Sequence, residues 1–260
     1  MPRLGTICVT AGLVLLCLGR SAAAQNLTVA AASDLQSVLP EIASRFERDT
    51  GQKVTLTFGS SGNFFTQIQN GAPFDVFLSA DIEYPRRLEQ ERTAEPGSLY
   101  EYARGRIVLW TRRDSGVDIA RGFGALTTSA VRRVSVANPD HAPYGRAAVA
   151  ALRAEHVYEQ VRGKLIMGEN ISQAAQFAQS GGAEVGIIAL SLALSPALKS
   201  SGVYFEVPDS LYPPIEQAAV VIATSRRKPL ARQFIEALKK PEVVQVFQSY
   251  GFAITASSRP

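Results

Sequence analysis

Short apolar runs alternate with stretches of helical periodicity along most of this chain of 260 residues. Strands that are covered on both faces are short and rich in Val, Ile and Leu, whereas a helix on a sheet repeats its apolar residues every three or four positions. This alternation predicts an α/β fold in which mostly parallel sheets are flanked by helices. The predicted strands are residues 27–31, 54–58, 76–78, 107–110, 134–137, 165–167, 185–190, 203–207 and 218–223.

The first helical segment places apolar residues from Leu35 to Phe46 on one face and closes at Gly51. Pro40 lies inside this segment and cannot donate a helical hydrogen bond. The sequence therefore allows either a separate turn before the helix proper or a bent helix.

Four of the turns from strand to helix carry small or polar residues. They lie at 32–35, 59–62, 142–145 and 169–172 and read Ala-Ser-Asp-Leu, Gly-Ser-Ser-Gly, Ala-Pro-Tyr-Gly and Glu-Asn-Ile-Ser. A helix start exposes unpaired N–H groups and the positive end of the helix dipole, which favour anions. Two such turns are early and two are late, so we expect two lobes that close on one small anion.

The lobes are predicted from two crossings of the chain, at 102–110 and 212–220. A chain that crosses twice makes one lobe discontinuous, with its last helices packed on its first. We therefore assign residues 25–105 and 216–260 to lobe 1 and residues 106–215 to lobe 2. Ligands of such sheets bind beyond the carboxyl ends of the strands, where the four turns fall.

Residues 1–24 are predicted to be a secretory signal peptide. They have a weakly basic start, an apolar stretch and a small-residue cleavage site before Gln25. The apolar stretch falls short of the ~20 residues that a membrane span requires. Both cysteines, Cys8 and Cys17, would leave with this segment. The mature chain would then have no thiol for a disulfide, a metal site or a nucleophile.

The composition indicates an ordinary globular protein, because 46% hydrophobic and 19% charged residues are too apolar for disorder. Loss of Arg3 and Arg20 with the leader reduces the 27 basic residues to 25, against 23 acidic ones. This near balance gives no reason to expect nucleic acid or an anionic membrane as a partner.

An ordered set of motifs resembles the periplasmic molybdate-binding proteins of ABC importers, and the likeness is collinear over nearly the whole mature chain. The motifs are residues 29–41, Thr-Phe-Gly-Ser-Ser-Gly at 57–62, Asn-Gly-Ala-Pro-Phe-Asp-Val-Phe-Leu-Ser-Ala-Asp at 70–81, Ala-Asn-Pro-Asp-His-Ala-Pro-Tyr-Gly at 137–145, Gly-Glu-Asn-Ile at 168–171 and Ser-Tyr-Gly-Phe at 249–252.

The resemblance implies a two-lobed type II periplasmic binding protein. Such a protein traps molybdate or tungstate in the periplasm and delivers it to a membrane permease. It would be a monomer, not an enzyme, and would need no cofactor and no metal held directly by side chains.

The resemblance also implies a set of oxyanion contacts. Ser33 and Ser61 would donate hydroxyl and backbone N–H groups from lobe 1, and Tyr144 and Ile171 would donate backbone N–H groups from lobe 2. Some members have a tyrosine hydroxyl where this chain has Ala189, so a fifth donor stays unassigned.

The same residues also allow structural interpretations. Ser33, Ser60 and Ser61 could be helix caps or turn residues. Asn170, with Gln173 three residues later, fits a capping box, so Ile171 is the expected contact there.

Asp34 is the residue that fits the anion site least well, because a carboxylate repels an anion. We expect Asp34 to cap the first helix. A carboxylate that instead accepts a proton from the ligand would favour phosphate, which therefore stays open as an alternative ligand. Sulfate stays open as another tetrahedral oxyanion.

A secreted serine hydrolase is the alternative from another class, with Ser61 as the nucleophile. A hydrolase needs a base within hydrogen-bond reach of that serine. Only His141 and His156 exist, and both are expected at the surface. The sequence therefore favours a binding protein.

Overall fold

The computed structural model describes residues 26–254, so the predicted signal peptide and both cysteines lie outside the described residues. The described chain contains ten strands, which form two five-stranded sheets. In chain order the strands are β1 Leu27–Ala32, β2 Val54–Gly59, β3 Val76–Ser79, β4 Tyr100–Gly105, β5 Ile107–Arg112, β6 Val134–Ala137, β7 Leu165–Gly168, β8 Val185–Ala189, β9 Gly202–Glu206 and β10 Ile215–Val221.

Helices connect most of these strands and cover the sheets. In chain order they are α1 Leu39–Thr50, α2 Ser61–Gln69, α3 Glu83–Gln90, α4 Phe123–Leu126, α5 Pro143–Ala154, α6 Tyr158–Val161, α7 Ile171–Gln179, α8 Leu190–Ala193, α9 Pro196–Ser201, α10 Lys228–Leu238 and α11 Pro241–Ser249. Between residues 26 and 254, no helix combines the length and the hydropathy that a membrane crossing requires.

Each sheet is mixed. Sheet one has the order β2-β1-β3-β10-β4, and sheet two has the order β7-β6-β8-β5-β9. In each sheet three neighbouring strands are parallel, whereas β10 and β5 are antiparallel to both of their neighbours. The sequence indicated mostly parallel sheets. The difference arises because β5 and β10 enter their sheets straight from the other lobe, without the helical crossover that parallel neighbours need.

All nine predicted runs contain a strand, but the sequence missed β4, which is the edge strand of sheet one. Glu101 and Arg104 interrupt its apolar pattern, and only Tyr102, Ala103 and Gly105 are buried. One residue, Arg106, separates β4 from β5. The outward crossing between the lobes is therefore almost a continuous strand.

The segment around Pro40 has the first of the two arrangements that the sequence allowed, a separate turn before the helix proper. A 3-10 turn at Ser33–Leu35 follows β1, and α1 begins separately at Leu39 with Pro40 at its second position. Gly51 ends α1 with φ of 69°, a left-handed conformation that glycine adopts without strain.

The first and last parts of the chain share one core. The rings of Phe46 in α1 and Phe234 in α10 meet edge to face at 5.1 Å, and both are buried in the cluster that covers one face of sheet one. Sheet two has its own core around Trp110, which is fully buried. Burying a side chain of this size contributes about 2 to 3 kcal/mol.

A buried carboxylate ties three segments around sheet one together. Asp75 is 3% exposed. Its Oδ2 accepts hydrogen bonds from Thr28 N at 2.8 Å, Thr28 Oγ1 at 2.9 Å and Arg227 Nη1 at 3.0 Å, and its Oδ1 accepts one from Ser225 Oγ at 2.7 Å. Burial alone would raise the pKa of Asp75, but the hydrogen bonds from Thr28 and Ser225 and the Arg227 charge outweigh it and lower the pKa.

We predict that Asp75→Asn destabilises the fold at neutral pH by about 1 to 3 kcal/mol, because the ion pair with Arg227 is lost in a buried place. The pKa is lowered on folding, so this stability is complete above the ordinary value of 3.8 and is lost as pH falls below it. Urea unfolding at pH 7 and pH 3 measures both effects.

Asp114→Asn is the matched control, because Asp114 pairs with Arg112 at 2.8 Å but its side chain is 78% exposed. It should change stability little at either pH. Equal effects of the two substitutions would contradict the role assigned to Asp75.

Candidate functional site

The carboxyl ends of strands from both sheets meet around one small cavity. The four residues predicted to contact an oxyanion, Ser33, Ser61, Tyr144 and Ile171, all line it. The structure therefore brings together residues that are up to 138 positions apart (33 and 171). The complete lining consists of Ala32, Ser33, Asp34, Gly59, Ser60, Ser61, Ala80, Ala142, Pro143, Tyr144 and Ile171.

Three helices begin at this cavity. Ser61 and Ile171 are the first residues of α2 and α7, and Tyr144 is the second residue of α5. N–H groups in the first turn of a helix have no acceptor within that helix. Each of the three residues can therefore offer its backbone N–H, together with the positive end of a helix dipole, to an anion.

Side chains next to the contact residues cap two of these helices. Ser60 accepts a hydrogen bond from Asn63 N at 3.3 Å at the start of α2. Asn170 accepts one from Gln173 N at 3.0 Å at the start of α7, which confirms the predicted cap. Gln173 in return accepts from Glu169 N, one residue earlier than in the usual capping box.

The hydroxyls of Ser33 and Ser61 do not cap the helical segments in which they lie. Ser61 Oγ accepts a hydrogen bond from Ala80 N at 2.9 Å, and Ser33 Oγ accepts one from Ser172 N at 3.4 Å. A hydroxyl that accepts from a backbone N–H keeps its own proton for another acceptor. Both serines are therefore oriented by the backbone and can still donate into the cavity.

Asp34 lines the same cavity and is completely buried. Its Oδ2 accepts hydrogen bonds from Tyr144 Oη at 2.9 Å and Gln217 Nε2 at 2.7 Å. Gln217 Oε1 accepts in turn from Tyr102 Oη at 2.8 Å. Asp34 Oδ1 has no hydrogen-bond partner. The network joins residues of β4, α5 and β10 to the turn after β1.

The expectation that Asp34 caps the first helix is wrong. The 3-10 turn after β1 has no side-chain cap. It directs the carboxyl group between the lobes, where Tyr144 and Gln217 supply donors. Burial raises the pKa of Asp34 to about 6, although the hydrogen bonds from Gln217 and Tyr144 partly oppose this shift.

The sequence also missed Gln217 and the hydroxyl of Tyr144. Gln217 is fully buried within β10, next to apolar Ala218. An amide inside such a strand must be hydrogen-bonded, and this was the available signal. Gly105 leaves room for the Tyr144 hydroxyl, since a Cβ at position 105 would lie 2.1 Å from it.

Further contacts cross between the lobes around the cavity. Arg146 forms an ion pair with Asp81, and its guanidinium lies 5.8 Å from the centre of the Tyr84 ring. Asn63 Nδ2 donates to Glu169 Oε1 at 3.2 Å. These contacts join the rims of the two lobes.

His141 is half-buried between the lobes, so the expectation of a surface residue is met only in part. Its Nδ1 is 2.9 Å from Ser60 Oγ, and Gly62 N donates to its carbonyl oxygen at 2.9 Å. The serine that it contacts is the helix cap and not Ser61. Within residues 26–254, no group of three or more His, Cys, Asp or Glu residues could hold a metal ion.

Ala189, which stands where some members of the family have a tyrosine, is buried at the end of β8. It is not among the residues that line the cavity. A larger open groove, of about 610 Å³, contains none of the four predicted contact residues. The cavity at the helix starts is therefore the candidate site.

Comparison with known proteins identifies the family. The family of bacterial extracellular solute-binding proteins matches residues 27–253. The molybdate-binding protein ModA of Azotobacter vinelandii is 40% identical over 234 residues, which cover 90% of this chain and 92% of that protein. The molybdate-binding protein ModA of Rhodobacter capsulatus is 40% identical over 231 residues, which cover 89% of each protein.

A solved structure shows the same architecture. The periplasmic molybdate-binding protein of Azotobacter vinelandii matches with a TM-score of 0.83 at 32% identity, over 88% of this chain and 99% of that chain. The chain thus belongs to the family of bacterial extracellular solute-binding proteins. The predicted two-lobed α/β fold and the resemblance to molybdate-binding proteins are confirmed. Like these relatives, the protein is a binding protein and not an enzyme.

We predict that Asp34→Asn makes the protein more stable at pH 8, by up to about 3 kcal/mol. The asparagine oxygen can still accept from Tyr144 and Gln217, and no charge is buried. Because folding raises the pKa of Asp34 from 3.8 to about 6, the carboxylate lowers stability as pH rises through this range. The gain should therefore vanish at pH 3.5, which denaturant unfolding at the two pH values would measure.

Asp140→Asn is the control, because Asp140 lies exposed in the loop before α5. It should give no pH-dependent gain. Lower stability of Asp34→Asn at pH 8 would contradict this interpretation of the buried network.

Proposed function

We propose that this protein binds molybdate, and also tungstate, and delivers the anion to the permease of an ABC transporter. The observation that carries the proposal is the convergence of Ser33, Ser61, Tyr144 and Ile171 on one cavity between the lobes. Relatives that are 40% identical over nearly the whole chain are molybdate-binding proteins. A tetrahedral oxyanion is the ligand that such a ring of donors suits.

The site binds its anion with neutral donors. The cavity lining contains no lysine or arginine, and the donors are serine hydroxyls and N–H groups of helix starts. A hydrogen bond to a charged group contributes on the order of 1.5 to 3 kcal/mol. About six such bonds offset the cost of association and lobe closure and leave micromolar to nanomolar affinity.

Selectivity among oxyanions follows from the rigidity of this ring. Ser61 is held by Ala80 of the same lobe, whereas Ser33 is held by Ser172 of the other lobe. Donors at fixed positions contact a larger tetrahedral anion and fall short of a smaller one. We therefore expect molybdate and tungstate to be preferred over sulfate and phosphate.

The location and the partners are part of the same proposal. Residues 1–24 act as a signal peptide, and the mature monomer works in the periplasm. Its lobes comprise residues 25–105 with 216–260 and residues 106–215, and it presents its closed form to the membrane permease. Membership of a family of extracellular solute-binding proteins supports this location.

Isothermal titration calorimetry with four anions tests the ligand. We predict that molybdate and tungstate bind with micromolar or lower Kd and that sulfate and phosphate bind at least ~100-fold more weakly. The affinity should survive moderate salt, because buried interactions are screened little. Tighter binding of sulfate or phosphate than of molybdate would overturn the proposal.

Removal of single hydroxyls tests the site. We predict that Ser33→Ala and Ser61→Ala each weaken molybdate binding by about 1 to 3 kcal/mol, because each removes a donor to a charged ligand. Ser61→Ala also leaves Ala80 N without its acceptor, so unfolding without ligand must be measured beside the calorimetric affinity.

Ser44→Ala is the matched control. Ser44 is exposed on α1 of the same lobe, and its hydroxyl accepts only from Arg48. Its affinity should equal that of the wild type. Unchanged affinity in both Ser33→Ala and Ser61→Ala would remove these hydroxyls from the site.

A further inference from the structure

Asp34 lines the cavity where the anion is proposed to bind, and one of its side-chain oxygens has no hydrogen-bond partner. Among the described residues with a buried, unpartnered polar side-chain atom, Asp34 is the one that lines the cavity. A buried acceptor without a partner is costly and needs an explanation. The same carboxyl group would face a dianion, which makes its presence harder to explain if it stays ionised.

The groups around Asp34 supply donors but no positive charge. Tyr144 of α5 and Gln217 of β10 donate to its Oδ2, Tyr102 of β4 donates to Gln217, and Ser191 of α8 donates to its carbonyl oxygen. Burial raises the pKa values of Tyr144 and Tyr102 well above their usual range, so both stay neutral.

The ionisable groups nearest the cavity rim act elsewhere. Arg146 is paired with Asp81, and His141 contacts Ser60. Glu169 accepts from Asn63. The described contacts therefore give Asp34 no cation to balance its charge beside an oxyanion. In a buried site, two like charges without a counterion disfavour ionisation of the weaker acid.

We propose that Asp34 binds the oxyanion as a neutral carboxylic acid, taking up one proton from solvent when the anion enters and donating a hydrogen bond to it from Oδ1. The inference rests on the proposed function. It assigns the fifth donor to Asp34, since this chain has Ala189 where some members of the family have a tyrosine hydroxyl. The proton forms an O–H bond on Asp34, and the anion keeps its full charge.

The network determines which oxygen carries the proton. Oδ2 already accepts two hydrogen bonds, from Tyr144 and Gln217, whereas Oδ1 accepts none. The added proton therefore belongs on Oδ1, whose residue lines the cavity. Tyr144 also supplies a backbone N–H to the same cavity, so one residue orients the acid and contacts the ligand.

The expected linkage has a definite sign. Burial already raises the pKa of Asp34 to about 6, and a bound dianion raises the pKa further because it disfavours a second negative charge. Above pH 6 the free protein must therefore take up a proton on binding. Affinity then falls as pH rises, by up to about tenfold per pH unit.

Calorimetry with sodium molybdate at pH 6.5, 7.5 and 8.5, in two buffers of different ionisation enthalpy, tests the proposal. We expect the wild type to take up close to one proton per anion at pH 7.5 and to lose about tenfold in affinity between pH 7.5 and 8.5. Asp34→Asn, whose amide can donate without a proton from solvent, should show neither effect and should bind more tightly than wild type at pH 8.5.

Two further variants assign the proton. Asp140→Asn makes the same chemical change at an exposed position and should keep the wild-type proton uptake. His141→Gln should also keep it, because His141 contacts Ser60 and not Asp34. Loss of uptake in His141→Gln, with uptake retained in Asp34→Asn, would overturn the proposal.

The remaining outcomes separate this inference from the proposed function. Tight molybdate binding by wild type without proton uptake overturns the role of Asp34 and leaves the molybdate function intact. Loss of molybdate binding in Asp34→Asn at every pH also overturns it, since a neutral donor would then not suffice. Strong phosphate binding that disappears in Asp34→Asn, with no molybdate binding by wild type, overturns both.

Discussion

The buried carboxyl group of Asp34 is the interaction that joins both lobes at the cavity. It joins the turn after the first strand of lobe 1 to Tyr144 in lobe 2 and to Gln217 in the strand that returns from lobe 2. The hydrogen bonds are short, at 2.9 and 2.7 Å, and they lie where water is excluded. Hydrogen bonds to a carboxylate in such a place contribute more stabilising free energy than exposed ones.

The topology of the sheets explains why the donors converge there. In each sheet the three parallel strands end at the same edge, and the helices that follow begin at that edge. The crossings through β4 and β5, and back through β10, place the two edges opposite each other. Helix starts from both lobes then surround one cavity, and no cation has to be placed in it.

A cavity lined by neutral donors favours selectivity over general attraction of anions. A lysine or arginine at the cavity would attract every small anion, whereas hydroxyl and N–H groups bind tightly only an anion that reaches all of them. Contacts at the rim, such as the Arg146 pair with Asp81 and the Asn63 contact with Glu169, are partly exposed. Exposed pairs contribute little energy, so closure depends mainly on the cavity and its ligand.

The sequence predicted most of the elements from which the site is built. The periodic runs gave nine of the ten strands, and the four small or polar turns gave residues that line one cavity. Local rules suffice for these features because a buried strand, a helix cap and a glycine turn leave their pattern in neighbouring residues. The strand β4 was missed because Glu101 and Arg104 break that pattern at a sheet edge.

The roles of Asp34, Gln217 and His141 were decided by tertiary structure alone. Local pattern made Asp34 a cap and His141 a surface residue, but the partners of both come from the other side of the cleft. Asp34 and Gln217 are 183 positions apart, and Ser60 and His141 are 81 apart. Burial, charge and hydrogen bonding across such separations depend on how the lobes pack, and no window of the sequence contains both partners.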